Sequence, residues 1–203
     1  MNEGELVSDR SLTNLVLMGM GEPLANYEQV MKALRILTAE EGVKFGHRRI
    51  TLSTVGLVPM IRRLGKDLVV NLAVSLNAGD NAIRSQIMPV NERYPIEKLL
   101  KVCREFPLSR GRRITFEYVL IEGINDGADQ AEKLALLLRG IAAKINLIPF
   151  NEYPGCPYKS PSQQTLELFR EILIKNHYTA IIRKSKGRDI LAACGQLAAN
   201  KTA

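Results

Sequence analysis

The residues with chemistry to offer sit where apolar runs end. Residues 15–24, LVLMGMGEPL, form an apolar run that breaks at Gly19 and Gly21 and then presents the Glu22 carboxylate in front of Pro23. Such a run suits a strand buried on both faces, the glycines let the backbone bend and a ligand come close, and Pro23 biases Glu22 toward extended backbone. Glu22 and nearby carbonyls would receive a ligand ammonium; the alternative is a tight strand-to-helix turn with a solvated glutamate. The pattern G-x-G-E-P lacks the third glycine of a dinucleotide fingerprint. Further along, Ser53 lies near the end of a second apolar run, Ser75 and Asn77 close a third, and Asn151 follows a later one. With a period of two, Asn71, Ala73, Ser75 and Asn77 share one face, opposite Val70, Leu72, Val74 and Leu76. Glu117 in ITFEYVL is flanked by apolar residues, which calls for a buried partner or an inward-facing role. Singly, each is a satisfied polar group at a strand end; together they describe polarity gathered at one end of a sheet, which is how a barrel builds a site.

The elements that must position these residues follow from the alternation of apolar strand-like runs with amphipathic stretches, the signature of βα units and a parallel sheet. Strands are expected over 14–20, 49–55, 68–76, 113–120, 144–149 and 179–183, and helices over 27–38, 59–64, 96–105, 129–139 and 163–176, the last opened by Ser160-Pro161-Ser162. There is no repeat and no low-complexity segment. The linkers 123–127 and 151–161 are rich in Gly, Pro and Asn, and the second carries Tyr153, Cys156 and Tyr158.

At 203 residues and 46% hydrophobic content the chain can bury a core, so a single domain over 1–203 is expected. No run approaches a membrane span and the polar start is no signal peptide, so a cytoplasmic location without membrane contact is expected. Cys103, Cys156 and Cys194 are too scattered for a disulfide framework or a self-contained metal site. The 28 Lys and Arg outnumber the 21 Asp and Glu by seven and cluster at 48–49, 62–63, 110–113 and 183–188. That favours a polyanionic partner, with a merely soluble basic surface as the alternative. Sparse aromatics, 5% with no Trp, offer no stacking platform for single strands.

The blocks GMGEP at 19–23, TLSTVGLVP at 51–59, AVSLNA at 73–78, INLIPFNEYPG at 145–155 and RKSKGRDILAACGQL at 183–197 resemble the radical S-adenosylmethionine (SAM) adenine methyltransferases that act on RNA. The resemblance covers nearly the whole chain in the right order. It implies an α/β fold, a partial (βα) TIM-like barrel of the radical SAM type, with SAM at the C-terminal ends of the strands. It further implies 23S rRNA and tRNA as substrates, carbon 2 of an adenine as the target, and a [4Fe-4S] cluster in the full-length family. Carbon 8, as in antibiotic-resistance relatives, and a non-catalytic RNA-binding remnant are the alternatives. By the same resemblance Gly21 and Glu22 match the methionine-ammonium site, and Ser53, Ser75-Leu76-Asn77 and Asn151 match further cofactor contacts. Cys194, in AACGQL, matches the cysteine that is methylated on sulfur and delivers a one-carbon unit to the base. A thiolate is a soft nucleophile suited to that role, and the basic run 183–188 would favour it. Cys103 and Cys156 match no functional position and are expected to be packing residues.

Two departures stand out. Asn77 replaces the histidine of the family's S-L-H, and asparagine donates and accepts hydrogen bonds without carrying a proton near neutrality. The cluster motif C-x-x-x-C-x-x-C is absent from the 203 residues. The expectation is therefore a core truncated at its N-terminus, lacking the first strand, the cluster loop and the N-terminal domain, and catalytically inactive by itself.

Overall fold

Residues 50–54, Ile-Thr-Leu-Ser-Thr, show how the sheet is built. Ile50 and Leu52 are wholly buried, while Thr51 and Ser53, which alternate with them, are only half-buried. The computed structural model describes residues 12–183 apart from 20, 42 and 43. Across them run β1 (Leu15–Leu17), α1 (Tyr27–Thr38), β2 (Ile50–Thr54), α2 (Val58–Asp67), β3 (Asn71–Ser75), α3 (Asn81–Ile87), α4 (Val90–Arg93) and α5 (Ile96–Glu105). β4 (Ile114–Leu120), α6 (Ala128–Leu137), β5 (Ala143–Pro149), α7 (Gln163–Lys175) and β6 (Thr179–Ile182) complete the order.

All neighbouring strands are parallel and the sheet order is the chain order, β1-β2-β3-β4-β5-β6, with no pairing between β1 and β6. Crossovers of one hand in sequential order bring every helix to the same face. The result is an α/β fold with an open, six-stranded partial barrel, as the sequence implied. On the helical face Leu52, Leu72, Val74, Phe116, Tyr118, Ile145 and Leu147 merge into one core with Met31 and Leu34 of α1, Ile61 and Leu64 of α2, Leu99 and Cys103 of α5, Leu134 of α6, and Phe169 and Leu173 of α7. The spacing of those helix residues, three or four apart, is what gives each helix a single apolar stripe. On the opposite, open face the register aligns Ser53 with Ala73 and Thr115, then Ser75 with Glu117 and Asn146. Among the described residues no helix is long and apolar enough to cross a membrane.

The structure departs from the expected elements in three main places. β1 ends at Leu17, short of the expected 14–20. β3 begins at Asn71 instead of 68, because α2 runs on to Asp67 and the Leu68 N–H closes it on the Leu64 carbonyl. The stretch 77–95, to which the sequence pattern assigns no element, holds α3 and α4. Asp80 starts α3, its side chain accepting from the Ile83 N–H at 3.0 Å, which satisfies one of the free donors of the first turn. Gly79 just before it lies hard against α6: a Cβ there would sit 2.8 Å from Lys133 Cβ and 2.9 Å from the Gln130 carbonyl oxygen.

Candidate functional site

At the C-terminal ends of the strands the chain leaves a cavity of about 190 Å³ on the open face. Its lining comes from Leu17 at the end of β1 with Met18, Gly19 and Gly21 to Pro23 after it, Ser53 to Val55 at the end of β2, Ser75 of β3, Glu117 and Val119 of β4, Ile148 of β5 and Arg183 just past β6. Gly21, Glu22, Ser53 and Ser75, singled out from the sequence, therefore meet around one space.

Glu22 is fixed on both oxygens. Its backbone is extended (φ −113°, ψ 109°), as Pro23 dictates, and it caps the 3₁₀ turn Pro23–Asn26. Oε1 accepts from the Leu24 N–H at 3.0 Å, and Oε2 accepts from the Val55 N–H at 2.7 Å, so one carboxylate ties the end of β1 to the end of β2. Each oxygen keeps a second lone pair for a ligand donor. Gly21 holds φ +84° with open space where a Cβ would stand, a backbone state that favours glycine and leaves the main chain bare toward the cavity. The Ser53 and Ser75 hydroxyls have no hydrogen-bond partner among the described residues.

Glu117 is the residue on which the site's electrostatics turn. It is 3% exposed, Oε1 accepts from Asn146 Nδ2 at 2.9 Å, and Oε2 is buried without a hydrogen-bond partner. Burial pushes its carboxyl above the ordinary range, while Asn146 and the Arg183 guanidinium oppose the shift. Arg183 Nη1 stands 3.9 Å from Oε2, too far for a hydrogen bond. A carboxylate facing a cavity with one oxygen unused is poised to accept from a ligand hydroxyl or amine.

Three residues matched by the sequence pattern contribute differently. Leu76 is fully buried in the helical layer, its N–H donates to the Glu117 carbonyl and its own carbonyl accepts from Arg84 Nε. Asn77 sits at φ 58°, which asparagine tolerates better than most residues; its Oδ1 accepts from the Val119 N–H at 2.9 Å and its Nδ2 lies 3.2 Å from Met88 Sδ. Its amide thus splices the ends of β3 and β4. Asn151 is buried and hydrogen-bonded or otherwise engaged, outside the cavity lining. Cys103 is buried in α5, where burial pushes the thiol up to about 12, and Cys156 is half-buried in the loop after β5. Cys194 lies outside the described residues. Among the described residues no three His, Cys, Asp or Glu side chains group as metal ligands.

Arg84 escaped the sequence reading. This fully buried residue donates Nη2 to the Val55 carbonyl at 2.8 Å and the Ser75 carbonyl at 3.3 Å, Nε to the Leu76 carbonyl at 3.1 Å and Nη1 to Asn91 Oδ1 at 2.9 Å. It lashes the ends of β2 and β3 together beneath the cavity and sets the spacing of Ser53 and Ser75. Its only local sign is an arginine between Ile83 and Ser85, which nothing in the pattern marks as buried.

The family model described as the Radical SAM superfamily matches residues 3–136. The chain is 58% identical to the dual-specificity RNA methyltransferase RlmN of Syntrophus aciditrophicus over 92% of its length and 53% of that protein's. It is 57% identical to the dual-specificity RNA methyltransferase RlmN of Anaeromyxobacter dehalogenans over 98% of its length and 53% of that protein's. The chain thus spans about half the length of the curated relatives it matches. A crystal structure of a radical SAM methyltransferase from Sphaerobacter thermophilus superposes with a TM-score of 0.88 at 52% identity, covering 92% of this chain and 55% of that one. A domain of a pyruvate-formate lyase-activating enzyme from Bacteroides vulgatus, 18% identical with a TM-score of 0.62 over 84% of this chain and 99% of that one, shares the fold alone.

Proposed function

Because this chain belongs to the radical SAM superfamily, we propose that it is the core of an RNA methyltransferase that modifies carbon 2 of an adenine in 23S rRNA and tRNA. The 203 residues are read as one radical SAM core domain, working in the cytoplasm where those RNAs are. What carries the reading is the meeting of Gly21, Glu22, Ser53 and Ser75, from three separate strand ends, around one cavity that Glu117 also lines.

The residues present fit SAM. The fixed Glu22 carboxylate suits its ammonium, the bare backbone at Gly21 admits close approach, and the free Ser53 and Ser75 hydroxyls with Glu117 suit its sugar and other donors. SAM, when bound, supplies the methyl group. Leu76 and Asn77 contribute by fixing the strand ends, and Asn151, outside the cavity lining, is proposed as a further cofactor contact on the family resemblance alone. Cys194 is the residue proposed to carry the methyl group on sulfur. The iron–sulfur cluster of the superfamily does not fit this chain: its three cysteines do not form C-x-x-x-C-x-x-C, and Cys103 is buried in the helical layer with its thiol proton held.

Isothermal titration of SAM into the chain tests the reading. Saturable binding is expected, weakened about tenfold or more in Ser53→Ala/Ser75→Ala, since two hydrogen bonds at about 0.5–1.5 kcal/mol each are lost. Equal affinity in the double variant would overturn the site assignment.

A further inference from the structure

A second cavity, of about 620 Å³, opens at the other end of the sheet. It is framed by three segments that each precede a strand: the 3₁₀ turn His47–Arg49 before β2, residues 66–71 before β3 and residues 108–112 before β4. The five-residue strand β2 separates it from the Glu22 cavity by roughly 17 Å at about 3.3 Å per residue.

Its charge is one-sided. Arg48, Arg49, Lys66 and Arg112 line it, and none of the four has a carboxylate within ion-pair distance among the described residues. The one acid in the lining, Asp67, is spent elsewhere: Oδ2 accepts from the Tyr27 hydroxyl at 2.8 Å and pairs with Arg63 Nε at 3.4 Å. The neighbouring cluster contrasts with this, since Arg62 pairs with Glu105 and Arg63 with Glu28. Asn71 holds the cationic rim in place, donating to the Arg48 and Ile50 carbonyls at 2.8 and 2.9 Å and accepting from Arg112 Nη1 at 3.2 Å. Next to Arg112, Arg113 spans to Thr179 Oγ1 at 2.8 Å and carries the positive strip along the same end of the sheet toward β6. Apolar walls focus such a field, and uncompensated cations around one concavity repel one another until an anion enters.

We infer that this cavity is a second RNA contact, in which Arg48, Arg49, Lys66 and Arg112 hold backbone phosphates of the substrate strand away from the reaction site. The charges are spread across three segments of a space larger than a single phosphate, which suits consecutive phosphates of a polynucleotide. The inference rests on the RNA reading above. Phosphate contacts position a nucleic acid without reading its sequence, so this surface would hold many RNAs in register while the other end of the sheet selects the base.

The test is fluorescence anisotropy of a labelled RNA hairpin with an unpaired adenine, titrated with the full chain between about 50 and about 200 mM salt. Arg48→Ala/Arg49→Ala/Lys66→Ala should weaken binding roughly 100-fold near 0.1 M salt and flatten the salt slope by about 2, from about 0.7 counterions released per phosphate. A charge-matched control, Lys32→Ala/Lys98→Ala/Lys101→Ala on exposed helix positions, should change affinity far less. Equal losses in the two triples would overturn the inference while leaving the RNA reading standing, and wild-type chain that binds no RNA at any of these salts would overturn both. Titration with inorganic pyrophosphate separates the remaining source: saturable binding abolished in the first triple, with RNA affinity intact, would assign the cavity to a small anion and overturn the proposal. Circular dichroism of both triples confirms the fold.

Discussion

Glu117→Gln should make the protein more stable and weaken its ligand site at the same time. In the wild type Oε1 is satisfied by Asn146, whereas Oε2 is buried with no hydrogen bond and only a half-exposed Arg183 at 3.9 Å. An unsatisfied buried oxygen costs about 1–3 kcal/mol, and the loosely held arginine returns under ~1 kcal/mol. Glutamine keeps the acceptor for Asn146 and, although its amide N–H replaces Oε2 as an unpaired group, removes the costlier buried charge, so a net gain of about 1 kcal/mol is expected, or about 2–4 °C in Tm for a domain of this size. The pH dependence identifies the cause. Because burial raises the folded-state pKa above the unfolded one, the wild type's carboxyl favours the folded state below the unfolded value of about 4.3 and loses that contribution as pH rises through the folded value. The advantage of the glutamine variant should therefore be largest near pH 7 and vanish near pH 4. Thermal melts followed by circular dichroism across that range measure it, and titration with SAM measures the accompanying loss of affinity. A variant that melts below wild type at pH 7, or a gap that does not change with pH, would refute the reasoning.

Arg84→Leu should cost about 3–5 kcal/mol in urea denaturation, because it strands the Val55, Ser75, Leu76 and Tyr94 carbonyls in a dry interior; a loss under ~1 kcal/mol would mean that those acceptors find water. Asp80→Ala should cost about 1 kcal/mol at pH 7, read from urea midpoints, through the lost cap of α3. The Ile83 N–H above all holds the Asp80 carboxyl down at about 2, so that contribution is present above the unfolded value and fades as pH falls through 2; a gap unchanged between pH 7 and pH 2 would contradict the assignment.

Much of this architecture could be read from periodicity. Residues 27–38 and 96–105 carry apolar side chains three and four apart, and α1 and α5 form over those same residues. The alternation in 71–77 separates Ser75 from Leu76, and the structure keeps them on opposite faces; it was the motif, matched as a block, that drew Leu76 into the site. Periodicity fails between 77 and 95 because α3 and α4 are short, Pro89 interrupts them, and the largest fully buried side chain there is charged. Arg84 is buried because carbonyls from β2 and β3 wait for it, and those partners are 29 and 9 residues away in the chain. Asn77 illustrates a different gap: its left-handed backbone and its bond to Val119 depend on a strand 42 residues downstream, so its identity alone could not reveal that its amide is engaged.

The sequential order of the sheet also fixes when the site comes into being. Each strand adds to the one made just before it, so the sheet can grow by one unit at a time as the chain leaves the ribosome, N-terminal units first. The Glu22 cavity does not follow that schedule. One rim is supplied by Gly21 to Pro23 and the other by Arg183, whose N–H is secured on the Leu147 carbonyl at 2.8 Å only once β6 has docked. A nascent chain with five strands in place therefore has a sheet and most of a core but an unfinished pocket. Ligand capture is thereby postponed until β6 docks, and binding becomes a signal that β6 has arrived.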